Sequence, residues 1–311
     1  MEMNEINPQA QPGQNTQPEQ PQPTLVLNQS QPQQPPLYDP GFAARMTDLI
    51  RDVFDPAYIL LFGSMASGTP HSDTLCYDLL IATHDTPQYN WLAVKRYLKT
   101  KIPKIGHGAP YLNVYLHPVD LVASQFSPLF YLARAEGVLL YCSDRHNFRR
   151  PRKTAMFSQA ACDAKQYYST FMALGAEFLE QANIALTENK IRQSAFCAAQ
   201  AAVYCYRVLF RVYHGFDFDT HDIMILHERM RTLSAELLLV LESDSYDPIY
   251  TLPCLQRFIV KARYDPSFFI HVSELERHLD RVKRMREIVE KLCMRRIALY
   301  KKLDAEQAAC L

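Results

Sequence analysis

The sequence lacks the long apolar runs of a membrane protein. No stretch approaches the ~18 consecutive apolar residues that a transmembrane helix needs, although 48% of all residues are hydrophobic. The N-terminus also lacks the basic and then apolar pattern of a secretory signal. These absences predict a cytoplasmic protein that has no membrane partner.

Paired cysteine motifs are absent as well. The chain has eight cysteines, but none of them forms a CxxC pair or a Cys/His cluster with the spacing of a zinc site. Several lie in apolar helical contexts, where a free cysteine behaves as a small hydrophobic residue. We expect reduced thiols, which is typical of a reducing compartment.

Basic residues are missing from the first 36 positions, which contain ten Gln and eight Pro. Such a segment cannot bury enough apolar surface to offset the entropy of the chain. We predict a disordered tail over residues 1–38.

Formal charge is balanced over the whole chain but not along it. Between Arg257 and Lys302 there are thirteen basic and six acidic residues. This excess is compatible with an anionic partner such as a nucleic acid. A solvated helix face is the alternative interpretation of the same charges.

Short apolar strands alternate with helical patterns from residue 39 to residue 144. This alternation is typical of an α/β or α+β domain. The predicted strands cover residues 58–62, 77–82, 111–116 and 138–142, and the predicted helices cover residues 42–54, 90–101, 120–125 and 128–136.

Strand patterns end after a polar, basic linker at residues 145–157. The remainder, residues 158–302, has helical periodicity and predicts an all-α bundle, followed by a short tail at 303–311. Gly215 is a predicted helix stop, and Asp219 or Thr220 a predicted helix cap. The helices are predicted at residues 160–187, 190–213, 221–241, 249–262 and 273–302.

A strand-to-helix turn at Gly63 and Ser64 is followed by a strand that carries Asp78. A glycine in such a turn lets the backbone approach a phosphate closely. Cys76 lies two residues before Asp78, so both side chains are expected on one face of the strand. Two acids at these positions would hold a divalent metal through oxygen ligands.

The strings GSMASG (63–68) and CYDLLI (76–81) resemble the minimal nucleotidyltransferase pattern, a Gly-Ser turn followed by two aspartates one residue apart. AEGVLLYCSD (135–144) is similar to the end of that fold. Two strings of the helical half, SAFCAAQAAVYCYRVLFRVYHG and KARYDPSFFIHVSELERHLDRVKRM, resemble a HEPN domain. Residues 39–300 therefore resemble a nucleotidyltransferase–HEPN fusion: an α+β nucleotidyltransferase-like domain with a mixed sheet, then an all-α HEPN bundle.

The resemblance implies roles for the turn and for the strand residues. Gly63 and Ser64 would hold the triphosphate of an NTP, and Asp78 would be the second of two aspartates that carry Mg²⁺. Cys76 stands at the first of these positions. A thiol is a poor ligand for Mg²⁺, which favours hard oxygen ligands.

A third acid, which the family places on a later strand, is also replaced. Asn113 or Tyr115 occupies the polar face of that strand. Asp73, in the loop before the strand that carries Asp78, is a spare carboxylate. We therefore expect nucleotide binding with impaired transfer to an unknown acceptor. The alternative is a non-catalytic module for nucleotide sensing or protein interaction. The resemblance also implies a homodimer through the HEPN domain.

Two further candidates lie in the helical half. Arg207 and His214 have the Arg-to-His spacing of HEPN ribonucleases, but they precede Gly215, which is not where that motif belongs. His221 matches a Thr-His-Asp element of the fusion family. It either faces a ligand or packs at the start of a helix.

Overall fold

A computed structural model describes residues 37–68, 76–85, 90–101, 111–124, 127–151, 156–217, 220–241 and 250–309. The predicted tail before residue 37 and the candidate Asp73 lie outside the described residues. No helix in the described ranges is both long and apolar enough to cross a membrane.

The N-terminal region contains four strands and five helices among its described residues. The strands are β1 (Pro56–Phe62), β2 (Cys76–Thr83), β3 (Tyr111–Pro118) and β4 (Val138–Cys142). The helices are α1 (Pro40–Phe54), α2 (Ser64–Ser67), α3 (Trp91–Lys101), α4 (Val119–Ala123) and α5 (Pro128–Glu136).

The four strands form one sheet in the order β3-β2-β1-β4. β1 pairs antiparallel with both β2 and β4, whereas β2 and β3 are parallel. A parallel pair requires a crossover connection, and α3 lies in that connection. The predicted mixed sheet is confirmed.

β1 is a central strand that is buried on both faces. Ile59 and Leu61 pack in a cluster with apolar residues of α1 and α3. Tyr58 and Leu60 pack on the opposite face, with residues of α4 and α5. This two-sided burial explains why the strand is a continuous apolar run rather than an alternating one.

The rest of the described chain is helical. It comprises α6 (Met156–Thr187), α7 (Ile191–His214), α8 (Ile223–Met230), a 3₁₀ turn (Arg231–Leu233), α9 (Ala235–Leu241), α10 (Thr251–Tyr264) and α11 (Val272–Ala308). The predicted all-α half is confirmed. α6 and α7 bury small side chains against each other, among them Ala182, Ala198 and Ala202.

One predicted helix limit is confirmed and two are corrected by the structure. Gly215 ends α7 with φ +80° and its N–H bonded to Arg211 O, as predicted. The single helix predicted at 221–241 is wrong, because Ser234 is extended and its hydroxyl accepts from Leu237 N at 3.3 Å, which starts a new helix. The last helix continues through residues 303–308, where a tail was expected, because Leu303 still packs against the core.

The basic segment after β4 is held against α5 where it is described. Arg150 donates to the carbonyl groups of Ala135 and of Gly137, the latter at 3.1 Å. A guanidinium at the end of a helix satisfies carbonyls that have no partner within the helix. This part of the predicted linker is therefore attached rather than fully solvated.

Buried polar contacts join the sheet region to the helices. Tyr115 on β3 bonds through its hydroxyl to His214 Nε2 at 3.2 Å, and Ser127 donates to the His214 carbonyl. Arg229 of α8 donates to Val114 O at 2.6 Å. β3 is an edge strand of the described sheet, and the Arg229 contact covers part of that edge.

Candidate functional site

The turn between β1 and α2 requires glycine at position 63. Gly63 has φ +75° and ψ −156°, a combination that is essentially restricted to glycine. A Cβ atom there would lie 2.5 Å from Asp78 Oδ2. The turn and the carboxylate are therefore in direct contact, and any side chain at position 63 would displace Asp78. Ser64, half-buried, begins α2 beside this contact.

Asp78 lies in the middle of the sheet, opposite Phe62 on β1 and Asn113 on β3. Its Oδ1 accepts a hydrogen bond from Asn113 Nδ2 at 3.0 Å and contacts the Cys76 thiol at 3.8 Å. Cys76 and Asp78 thus share one face, as the strand spacing predicts. Of the two candidates on β3, Asn113 donates the hydrogen bond to the carboxylate, whereas the Tyr115 hydroxyl bonds to His214.

Burial raises the pKa of Asp78 to about 6, from an ordinary value of 3.8. The Asn113 amide and the Cys76 thiol oppose this increase, as do the positive charges of Arg229 and Lys95. The carboxylate is therefore ionised at neutral pH but gains a proton easily in mild acid.

Two cationic side chains near Asp78 come from the helices α3 and α8. Arg229 is 3% exposed, and its guanidinium lies 3.4 Å from the centroid of the Trp91 ring and 4.9 Å from that of Tyr115. Lys95 of α3 is buried and forms an ion pair with Glu228. No sequence motif pointed to either residue, because their closeness to Asp78 depends on how α8 and α3 pack against the sheet.

The donors at this site supply only one carboxylate of the magnesium centre that the family resemblance implies. Asp78 supplies one carboxylate, whereas Cys76 and Asn113 supply a thiol and an amide where acids are expected. Mg²⁺ prefers oxygen ligands in octahedral geometry. In proteins these usually come from one or two carboxylates, substrate phosphates and water. Asp78 therefore supplies the smallest number of carboxylates that such a site uses.

The same helical region that supplies Arg229 matches a known family. Residues 169–292 match the HEPN domain family. The helical region contains a HEPN domain. This match does not include the sheet region, and a search of the curated proteins found no match to the chain.

Within the HEPN domain, the geometry places the ribonuclease candidates in structural contacts. His214 is 3% exposed, bonds to Tyr115, and has its pKa lowered well below the ordinary value by burial. Arg207 forms an ion pair with Asp217, which Arg211 also contacts at 2.8 Å. A buried, neutral His214 cannot reach an RNA backbone in this arrangement.

His221 of the HEPN domain is exposed. Asp222 caps α8, since its side chain accepts from Met224 N at 2.9 Å and from Ile225 N at 3.2 Å. The expected caps are therefore corrected: Thr220 bonds to Asp222 N instead, and Asp219 lies outside the described residues. His221 does not pack at the helix start, and a ligand-facing role stays a prediction.

Replacement of Asp78 by asparagine should change the pH dependence of stability. Because the folded-state pKa of Asp78 is about 6, and its ordinary value lies below that, the folded state binds more protons between these values. Stability from this group is thus fully present below pH ~4 and is lost as the pH rises through ~6. We expect the wild type to lose about 2 kcal/mol relative to Asp78→Asn between these limits. Urea unfolding across that range measures the difference.

The comparison with Asp78→Asn is needed because two histidines change the stability in the opposite direction with pH. Burial lowers the pKa of His117 to about 4 and that of His214 still further, so both destabilise the fold as the pH falls. Their contribution cancels between wild type and Asp78→Asn. Asp52→Asn, at an exposed position of α1, should run parallel to the wild type. Parallel curves for Asp78→Asn would contradict the expectation.

Proposed function

We propose that the N-terminal domain is a nucleotidyltransferase-like domain that binds a nucleoside triphosphate at the Gly63 turn, and that its transfer activity is impaired. The observation that carries this proposal is the contact between the turn and Asp78, where a Cβ at position 63 would lie 2.5 Å from Oδ2. A phosphate-binding turn and a metal-binding acid are expected side by side in such a site.

Charge supports a triphosphate as the ligand. Arg229 and Lys95 place positive charge close enough to Asp78 to lower its pKa. Lys95 is already paired with Glu228, so Arg229 is the charge that would attract a phosphate group. The backbone of the Gly63 turn has no side chain to obstruct an approaching phosphate. A Mg²⁺ ion that arrives with the triphosphate would find one carboxylate ligand, Asp78.

The neutral groups around Asp78 support the impairment. Cys76 and Asn113 both contact Oδ1, so two of the three positions where the family resemblance places acids hold neutral hydrogen-bonding groups. In-line transfer needs metal charge at the attacking and leaving oxygens. With a single carboxylate, the residues present supply little of that stabilisation. If the transfer activity is lost completely, the domain is the non-catalytic module for nucleotide sensing.

Binding and transfer of labelled ATP, measured with Mg²⁺ or Mn²⁺, test the nucleotide site and its impaired activity. We expect the wild type to bind nucleotide with little or no transfer of label, and Asp78→Ala to lose binding. Cys76→Asp places an acid at the first of the two aspartate positions and should raise transfer by roughly 10²-fold or more, the scale of one electrostatic group in a transition state.

Asp52→Asn serves as the control for general effects of charge, because it is exposed on α1. Wild-type transfer that Asp78→Ala abolishes would show an intact enzyme and overturn the impairment. Nucleotide binding that is unchanged in Asp78→Ala would overturn the site itself. The homodimer through the HEPN domain and the cytoplasmic location stay predictions.

A further inference from the structure

Three side chains with metal-binding atoms meet between α10 and α11, in the HEPN domain. Cys254 lies on α10, and Glu274 and His278 lie one turn apart on α11. The thiol, one carboxylate oxygen and one imidazole nitrogen all lie within 4.8 Å of one another. The group has no zinc-type spacing in the sequence, because Cys254 is on a different helix from Glu274 and His278.

The separations between these atoms suit a tetrahedral ion. His278 Nε2 is 3.6 Å from Glu274 Oε1, and Cys254 Sγ is 4.0 Å from the same oxygen. Ligands of a tetrahedral Zn²⁺ ion are separated by about 3.3–3.6 Å, given bond lengths of about 2.0–2.3 Å. Small rotations of the three side chains are therefore enough to close the site around an ion.

His278 is held in the orientation that ligation requires. It is fully buried, its Nδ1 lies 3.1 Å from Thr251 Oγ1, and its Nε2 has no hydrogen-bond partner among the described residues. When Nδ1–H donates to Thr251, Nε2 carries the lone pair, and Nε2 is the nitrogen that lies 3.6 Å from Glu274 Oε1. Metal-binding histidines are commonly oriented by such a second hydrogen bond.

The surroundings combine an apolar wall with access from solvent. The Phe258 ring packs against His278 with its centroid 5.5 Å away. Glu274 and Cys254 are half-buried, which leaves a path for an ion. Arg257 and Arg281 also lie near enough to influence this cluster. Their positive charge opposes a cation, but a thiolate and a carboxylate together neutralise the charge of Zn²⁺.

We propose that Cys254, Glu274 and His278 bind one Zn²⁺ ion, with water as the fourth ligand, and that this ion links α10 to α11. A thiolate and an imidazole favour zinc over Mg²⁺ or Ca²⁺, which prefer oxygen ligands. The thiol loses its proton to solvent when the metal binds. This site is separate from Asp78 and does not depend on the proposed nucleotide function.

Cobalt binding to the full-length protein tests the ligand set, since Co²⁺ occupies zinc sites and reports its ligands by absorption. After chelation and dialysis, we expect one Co²⁺ per chain, with intense tetrahedral d–d bands and a thiolate-to-cobalt charge-transfer band. Zn²⁺ should displace the cobalt. Cys254→Ser should remove the charge-transfer band, and Glu274→Gln should weaken binding by more than the roughly 10–100-fold that loss of an outer partner costs.

Matched variants separate ligation from folding. Cys162→Ser replaces an exposed cysteine of α6 and should keep the full cobalt spectrum. Thr251→Val preserves shape but removes the partner of His278 Nδ1, so we expect about 10–100-fold weaker binding. Zn²⁺ should also raise the melting temperature of the wild type and have no effect on that of Cys254→Ser.

Several outcomes would overturn the proposal. These are no stoichiometric binding of Co²⁺ or Zn²⁺ by the wild type, a cobalt spectrum without a thiolate band, or a spectrum that Cys254→Ser leaves unchanged. If Glu274→Gln does not fold, as judged by circular dichroism, the half-buried Cys254→Ser carries the test alone.

Discussion

Replacement of Gly63 by alanine should weaken nucleotide binding and destabilise the N-terminal domain. The backbone at φ +75° and ψ −156° would cost an alanine about 1–3 kcal/mol. The new methyl group would also lie 2.5 Å from Asp78 Oδ2, which is too close for either atom to stay in place. Movement of the turn or of Asp78 separates the two groups on which the proposed site depends.

Isothermal titration with a Mg²⁺–nucleotide and urea unfolding measure the two effects. We expect affinity to fall by at least about tenfold, which corresponds to about 1.4 kcal/mol. Gly175→Ala is the matched control: it lies within α6, its added Cβ would meet Tyr204 Cβ at an ordinary 3.4 Å, and alanine there should stabilise by up to about 1 kcal/mol. Unchanged nucleotide affinity in Gly63→Ala would show that the nucleotide, if bound, lies elsewhere.

Replacement of Arg229 by methionine should destabilise the whole chain and loosen the contact between sheet and helices. The guanidinium donates to Val114 O at 2.6 Å and lies over the Trp91 ring. A hydrogen bond from a charged group contributes about 1.5–3 kcal/mol, and a desolvated cation–π contact about 2 kcal/mol. Methionine recovers part of the apolar packing and avoids burial of a charge, so we expect a net loss of about 2–4 kcal/mol.

The same substitution should raise the pKa of Asp78 above its value of about 6, since the Arg229 charge stabilises the carboxylate. The pH dependence described for Asp78 would then extend to higher pH, and nucleotide binding would weaken. Arg295→Met, at an exposed position of α11, should change stability by less than about 0.5 kcal/mol. Equal stability of Arg229→Met and Arg295→Met would mean that desolvation of Arg229 offsets all of its contacts.

Much of the fold could be predicted because its signals are local. A run of apolar residues from Ile59 to Phe62 indicates a buried strand, and Gly215 indicates a helix end. The break at Ser234 is an element limit that could not be predicted from local signals. The 221–241 segment keeps a helical period through this residue. The break shows only in the structure, through the extended backbone of Ser234 and the hydrogen bond from Leu237 N to its hydroxyl.

The candidate site could be predicted only along a single strand and its turn. Gly63, Cys76 and Asp78 are close in sequence, and the two-residue period of a strand places the last two on one face. Asn113 needed the parallel register of β2 and β3, in which it lies opposite Asp78. A sequence pattern does not specify that register by itself.

The sequence alone determined the order of sheet and helices, the resemblance of the helical half to HEPN domains, and the presence of a cysteine rather than an acid two residues before Asp78. Periodicity and residue chemistry act over a few neighbouring positions, so they can be seen without coordinates. Only the tertiary structure brought Arg229 to Asp78, buried His214 against Tyr115, and assembled Cys254 with Glu274 and His278. These contacts join residues from about 20 to about 150 positions apart, and packing between whole elements decides them.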